Sequence, residues 1–97
     1  MDAPRTPDPK LIALLSRAQD WFERLATGKA TGLEAIAKDE QVTGSWVARV
    51  IHLAFLAPGI AQAIIDGRQP PELTAERLMR LVPLPTDWQA QRVHLGF

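Results

Sequence analysis

The apolar positions of this chain recur in helical rather than alternating order. Leu11, Leu14, Leu15, Ala18, Trp21, Phe22 and Leu25 return every three or four residues, while Lys10, Arg17, Asp20, Glu23 and Arg24 take the opposite face. Such a stripe belongs to a helix that buries one side. Asp8-Pro9 marks its start, because the carboxylate accepts from free amides and proline suits the first helical position. Gly28 marks its end, since glycine enters the left-handed conformation at little cost. A helix is therefore expected over 9–27. Residues 1–8 carry Pro4 and Pro7 but no apolar periodicity, which predicts a mobile tail.

Thr31-Gly32-Leu33-Glu34 has the spacing of a capping box and opens a short helix over 32–39, with Leu33, Ile36 and Ala37 inward. Thr43 caps a third helix over 43–56 that carries Val47, Val50, Ile51, Ala54 and Phe55. Pro58 starts a fourth, over 58–66, ending at Gly67. After the stiff Arg68-Gln69-Pro70-Pro71 linker, Thr74 caps a fifth over 74–82, closed by Pro83 and Pro85. Thr86-Asp87-Trp88-Gln89 repeats the capping-box spacing and opens a sixth over 86–95, with Trp88 and either Val93 or Leu95 turned inward. No alternating run is long enough for a strand. The pattern predicts an all-α fold: a compact bundle of about six short helices, in one domain over 9–97. Leu14, Ile36, Val50, Ile51, Phe55 and Leu78 are the expected core, and truncating Ile36 or Phe55 to Ala is expected to cost about 2–5 kcal/mol.

The second and third helices have helix-turn-helix spacing. Leu33, Ile36 and Ala37 face Val47 and Val50, and Val42 plugs the corner between them. Ala37 must be small where the two helices cross, since overpacking there costs about 1–3 kcal/mol. Gln41 stands at the turn position usually held by glycine, and it takes a positive φ less readily.

The run from Leu33 to Pro58, with Ile64-Ile65-Asp66-Gly67 and Leu73-Thr74-Ala75-Glu76-Arg77-Leu78, resembles the DNA-binding module of ParB and KorB partition proteins. It is more closely similar to the C-terminal tail of certain proteobacterial serine recombinases. That tail has stretches like Leu53-Ala54-Phe55-Leu56-Ala57-Pro58 and Asp66-Gly67-Arg68-Gln69-Pro70-Pro71, and an ending like Gly96-Phe97. The resemblance implies a sequence-specific helix-turn-helix that binds double-stranded DNA, fused to or encoded beside recombination machinery in a mobile element. Neither strand exchange nor CTP hydrolysis carries over, because the catalytic and nucleotide-binding parts of those proteins have no counterpart here. The family often has a basic residue where this chain has Gly44.

With the inward set removed, Thr43, Ser45, Trp46, Arg49 and His52 remain to face DNA. Arg49 is the expected base reader, since its planar fork can donate to guanine O6 and N7 together. Thr43 and Ser45 would meet a phosphate oxygen at the helix start, and Trp46 a thymine methyl or a sugar. Lys38, with Lys29 and Arg68, is an expected phosphate partner. Each residue also has a plainer reading: Arg49 as a solvated or ion-paired side chain, Trp46 as core against the first helix, His52 as a hydrogen-bonded histidine at the edge of an apolar run.

Composition narrows the alternatives. The 97 residues hold 11 Lys and Arg against 11 Asp and Glu, no cysteine and two histidines. Thiol chemistry and disulfides are excluded, and a zinc site nearly so. No phosphate-binding glycine loop, nucleophile set or metal-ligand cluster argues for an enzyme or a cofactor. Neutral net charge opposes binding nucleic acid by bulk electrostatics, so useful affinity would need a local basic surface and a second copy or a recombinase partner. It also keeps open a protein-interaction domain on the same scaffold, without DNA binding. Neither a signal peptide nor a run of roughly 18 apolar residues is present, so a cytoplasmic location is expected.

Overall fold

A computed structural model describes residues 6–97 of the chain, and among these every regular element is helical. The order is α1 (Pro9–Ala26), α2 (Leu33–Glu40), α3 (Gly44–Ile51), a 3-10 segment (His52–Phe55), α4 (Pro58–Ile65), α5 (Ala75–Leu81) and α6 (Trp88–Leu95). The all-α expectation holds, with six α-helices. Asp8 caps α1 by accepting from the amides of Lys10 and Leu11, and Gly28 takes φ 80° just beyond its end. Thr43 and Thr74 cap α3 and α5 through their hydroxyls.

α1 is the central element. Leu11, Leu14, Leu15, Ala18 and Trp21 are buried along one side of it, and it packs on α3, the 3-10 segment, α4 and α5. α2 packs on α3, with Ile36, Ala37, Val47 and Val50 all in the core. Trp21 Nε1 donates to Glu40 Oε1 at 3.1 Å, and Arg24 bridges Asp20 at 2.9 Å and Glu40 at 3.3 Å, which ties the end of α2 to α1. Of the expected mobile tail, residues 1–5 lie outside the described residues. Thr6 is tied down: its amide donates to Gly67 O at 3.2 Å, and its carbonyl accepts from Gln69 Nε2 at 3.1 Å.

Two capping boxes shift by one residue. α2 begins at Leu33 behind an extended Gly32 that makes no side-chain cap, so Thr31 stands one position too early to reach the first-turn amides. α6 is capped by Asp87, whose carboxylate accepts from Ala90 N at 2.9 Å, rather than by Thr86. Leu95 turns inward as expected, but Trp88 and Val93 are 56% and 77% exposed, and the second inward residue of α6 is the polar Gln91.

The largest correction concerns the third helix. α geometry ends at Ile51, the backbone tightens to 3-10 over His52–Phe55, and Leu56 and Ala57 are extended ahead of Pro58, which holds Ala57 out of helical geometry and suits the first turn of α4. The rod Gly44–Phe55 meets α4 at 101°. A 3-10 residue advances about 120° instead of about 100°, so four such residues rotate Phe55 about 80° off the α-helical core line. Leu53 enters the core in its place, Ile51 is half-buried, and Phe55 is 53% exposed. Leu14, Ile36, Val50 and Leu78 are buried as expected. Leu33 and Val42, expected inward, are each 37% exposed: the corner is closed by backbone hydrogen bonds rather than by a plugging side chain. Among the described residues no single helix is long and apolar enough to cross a membrane.

Candidate nucleic-acid interface

Residues 41–43 join α2 to α3 in a tight corner. Gln41 occupies the left-handed region at φ 57° and ψ 44°, and its amide and that of Val42 bond back to Lys38 O and Ala37 O. Thr43 then turns extended, and its Oγ1 accepts from Trp46 N at 3.1 Å, which starts α3. Val47 and Val50 face the core, while Thr43, Ser45 and Arg49 lie on the exposed side and Trp46 is half-buried. A Cβ at Gly44 would meet the end of the Glu34 side chain, a flexible carboxylate that lies against the first turn of α3. A basic residue at position 44 would need Glu34 to move aside.

Beside this exposed face lies a groove of about 560 Å³ between α1, α3 and α5. Lys10 and Arg17 come from α1, Trp46 and Arg49 from α3, and Glu76 and Arg80 from α5. Lys10 and Arg17 are seven residues apart, two helical turns, and so share one face. Four cations therefore stand against one carboxylate in a chain whose formal charge is zero. Much of the compensating acid is elsewhere, at Asp20, Asp39 and Glu40 around Arg24. Glu76 neutralises little, since its contact with Arg80 is 3.8 Å and both side chains are exposed.

Arg49 is tethered. Its Nη2 donates to Met79 O at 2.5 Å, which joins α3 to the last turn of α5. The remaining guanidinium N–H groups are available to an incoming acceptor. The groove thus unites two expected site residues, Trp46 and Arg49, with Lys10, Arg17 and Arg80, which sequence reasoning did not single out. The i, i+7 pair on α1 was the legible signal, but nothing in the chain order said that α5 would close the other wall.

The other expected contacts scatter. Lys38 is exposed on α2 and does not line the groove, and Lys29 lies in the loop after α1. Arg68 pairs with Asp66 at 3.0 Å in the α4–α5 connection. His52, first residue of the 3-10 segment, borders a second and apolar groove of about 810 Å³ that Phe55, Leu84, Pro85 and Trp88 also line. Among the described residues no group of three or more His, Cys, Asp or Glu side chains is placed to hold a metal ion.

No protein-family model, curated protein or solved structure matches the chain.

Proposed function

We propose that the chain is a sequence-specific double-stranded DNA-binding module in which α2 and α3 act as a helix-turn-helix. The observation that carries this reading is the gathering of Lys10, Arg17, Arg49 and Arg80 beside the exposed face of α3 in a protein whose formal net charge is zero. Neutralising phosphates supplies most of the non-specific affinity for DNA, and a basic strip beside a groove-sized helix puts that affinity where base contacts can form. α3 enters the major groove, with Thr43 and Ser45 toward its leading end. Lys10, Arg17 and Arg80 take phosphates on the flanking strand. Arg49 turns its remaining donors to a base edge, and Lys38 meets the backbone on the α2 side. Work beside a recombinase in a mobile element is the biological setting that the sequence resemblance suggests.

The test is fluorescence anisotropy with duplexes from the native locus and scrambled controls, at two salt concentrations. Replacing both Lys10 and Arg17 with Ala is expected to weaken all duplexes about tenfold or more and to flatten the log–log salt slope by about 2. Lys38→Ala is expected to weaken all duplexes evenly. If the parent binds no duplex even at low salt and high concentration, the DNA reading gives way to a protein-interaction domain, the reading that the apolar groove favours.

A further inference from the structure

The basic groove has an apolar floor beneath its charged rim. Leu14 and Met79 are buried at its base and Trp46 and Ala75 are half-buried, while Lys10, Arg17, Arg49 and Arg80 stand exposed around them. Among the described residues Lys10, Arg17 and Arg49 make no ion pair, and Arg80 has only its long contact with Glu76. The like charges that α1, α3 and α5 bring together therefore repel one another across an apolar surface. A DNA phosphate neutralises charge at the rim but carries no apolar group to cover the floor.

We infer that this groove is a binding site for a small aromatic acid, whose flat apolar ring lies on the floor against Trp46 and whose single anionic head is held by Arg49 with Lys10 and Arg17. Three observations specify that ligand. Four cations against one carboxylate call for a negative charge. The floor calls for an apolar body, and an aromatic ring stacks on the Trp46 indole as it covers Leu14 and Met79. The volume of about 560 Å³ lies within the roughly 300–1,000 Å³ of small-molecule sites, which combine an apolar lining with a few polar groups that fix orientation. Arg49 is the natural anchor for the head. Its bond to Met79 O already holds the guanidinium at the groove, so gripping an acid costs it little further ordering.

The position of the site gives it a second consequence, which, unlike the site itself, rests on the DNA-binding reading. A seated acid takes the donors that would otherwise hold flanking phosphates and adds negative charge beside α3, so it releases the duplex. By linkage, bound duplex weakens the acid by the same factor.

Titration of the full chain, followed through the indole N–H resonances in proton–nitrogen NMR spectra, tests this. Trp46 reports on the basic groove and Trp88 on the apolar one, which shares no lining residue with it. Naphthoate and naphthyl phosphate are the probes, and the tighter of the two identifies the head as carboxylate or phosphate. Binding is expected to shift Trp46 with half-saturation near or below about 1 mM and to leave Trp88 in place. Acetate and inorganic phosphate, which lack the ring, and naphthalenemethanol, which lacks the charge, are expected to need at least about tenfold more. Ala13→Trp, at an exposed position lining the groove, fills it while keeping all four cations and is expected to abolish the shift. Arg17→Gln is expected to weaken binding severalfold. Arg92→Gln, exposed on α6 and outside the groove, removes the same charge elsewhere and is expected to bind like the parent, with circular dichroism checking that each variant keeps its helices. The proposal is overturned if neither aromatic acid shifts Trp46 up to its solubility limit, if the ringless or uncharged controls act equally well, if Trp88 responds instead, or if a folded Ala13→Trp binds unchanged. DNA separates this from the functional reading. A parent that binds duplex and neither acid overturns the ligand site alone, and one that binds an acid at Trp46 but no duplex overturns the DNA reading alone. Naphthoate is expected to release bound duplex, and a duplex that stays bound with the groove saturated overturns the control of DNA by the acid.

Discussion

Along the first half of the α3 rod, Trp46 and Arg49 open onto a groove that α1 and α5 line with cations; at the far end, Phe55 opens onto one that α4 and α6 help line with apolar groups. The two regions are built in different ways. The basic groove is assembled from side chains far apart in sequence, Lys10 to Arg80, and its one rigid link is the bond from Arg49 to Met79 O. The apolar end follows from a local event, the shift from α to 3-10 geometry ahead of Pro58, made permanent by one buried amide. Gln91 Oε1 accepts from Ala57 N at 2.8 Å, while its Nε2 donates to Phe55 O at 3.1 Å and Pro85 O at 2.8 Å. Charge therefore sits where side chains are adjustable, and exposed apolar surface sits where the backbone is held.

The comparison implies that the far end is the one whose loss unfolds the protein. Gln91→Leu strands three backbone groups, and leaving buried polar groups unmade costs about 1–3 kcal/mol each. Allowing for water reaching Pro85 and Phe55, a loss of about 3 kcal/mol in urea unfolding is expected. A loss below about 1 kcal/mol would mean that the 3-10 geometry stands without the amide. The basic end should lose less. Arg49→Ala frees Met79 O and is expected to cost about 1–1.5 kcal/mol, with base preference lost as well. Arg49→Lys should recover phosphate binding but not preference, because a lysine cannot present a planar fork. If Arg49→Ala changes stability and leaves DNA preference intact, Arg49 is a strut between α3 and α5 and nothing more.

Phe55→Ala sharpens the comparison from the other side. Sequence pattern alone puts its cost at about 2–5 kcal/mol, that of a core residue. With half the ring in solvent and one edge contact to Phe22, about 1–1.5 kcal/mol is expected, against the full core penalty for Ile36→Ala. Equal losses for the two variants in thermal or urea unfolding would put Phe55 back in the core. The smallest effect belongs to the corner between α2 and α3. Gln41 holds φ 57°, a region that costs a side chain about 1–2 kcal/mol, so Gln41→Gly is expected to gain about 0.5–1 kcal/mol after its extra unfolded-state entropy. A loss instead would show that the Gln41 side chain contributes to closing the turn.

How much of this was legible in the chain depends on the range of the interaction. The caps at Asp8, Thr43 and Thr74 were readable because a capping side chain acts within three residues of itself. The boxes at Thr31 and Thr86 misled because the same spacing fits two helix starts one residue apart, and only Asp87 and Gly32 in place decide between them. Phe55 and Trp88 were misplaced for a related reason. An apolar residue at helical spacing is buried only if the helix keeps its phase and a neighbour covers that face.

By itself the sequence determined the number and order of the helices and most of their aliphatic core, with Leu14, Ile36, Val50 and Leu78 buried as expected, since periodicity, proline and capping operate over three to five residues. The tertiary structure alone decided that Lys10, Arg17 and Arg80 stand beside Arg49, that Arg49 is bonded to Met79, that His52 borders an apolar groove and that Gln91 is buried. Those outcomes depend on which ridges of α1 meet α3, α5 and α6. Helix crossing angles fall into a few broad, overlapping classes set by whole faces, so no single residue or spacing encodes which distant side chains will share a groove.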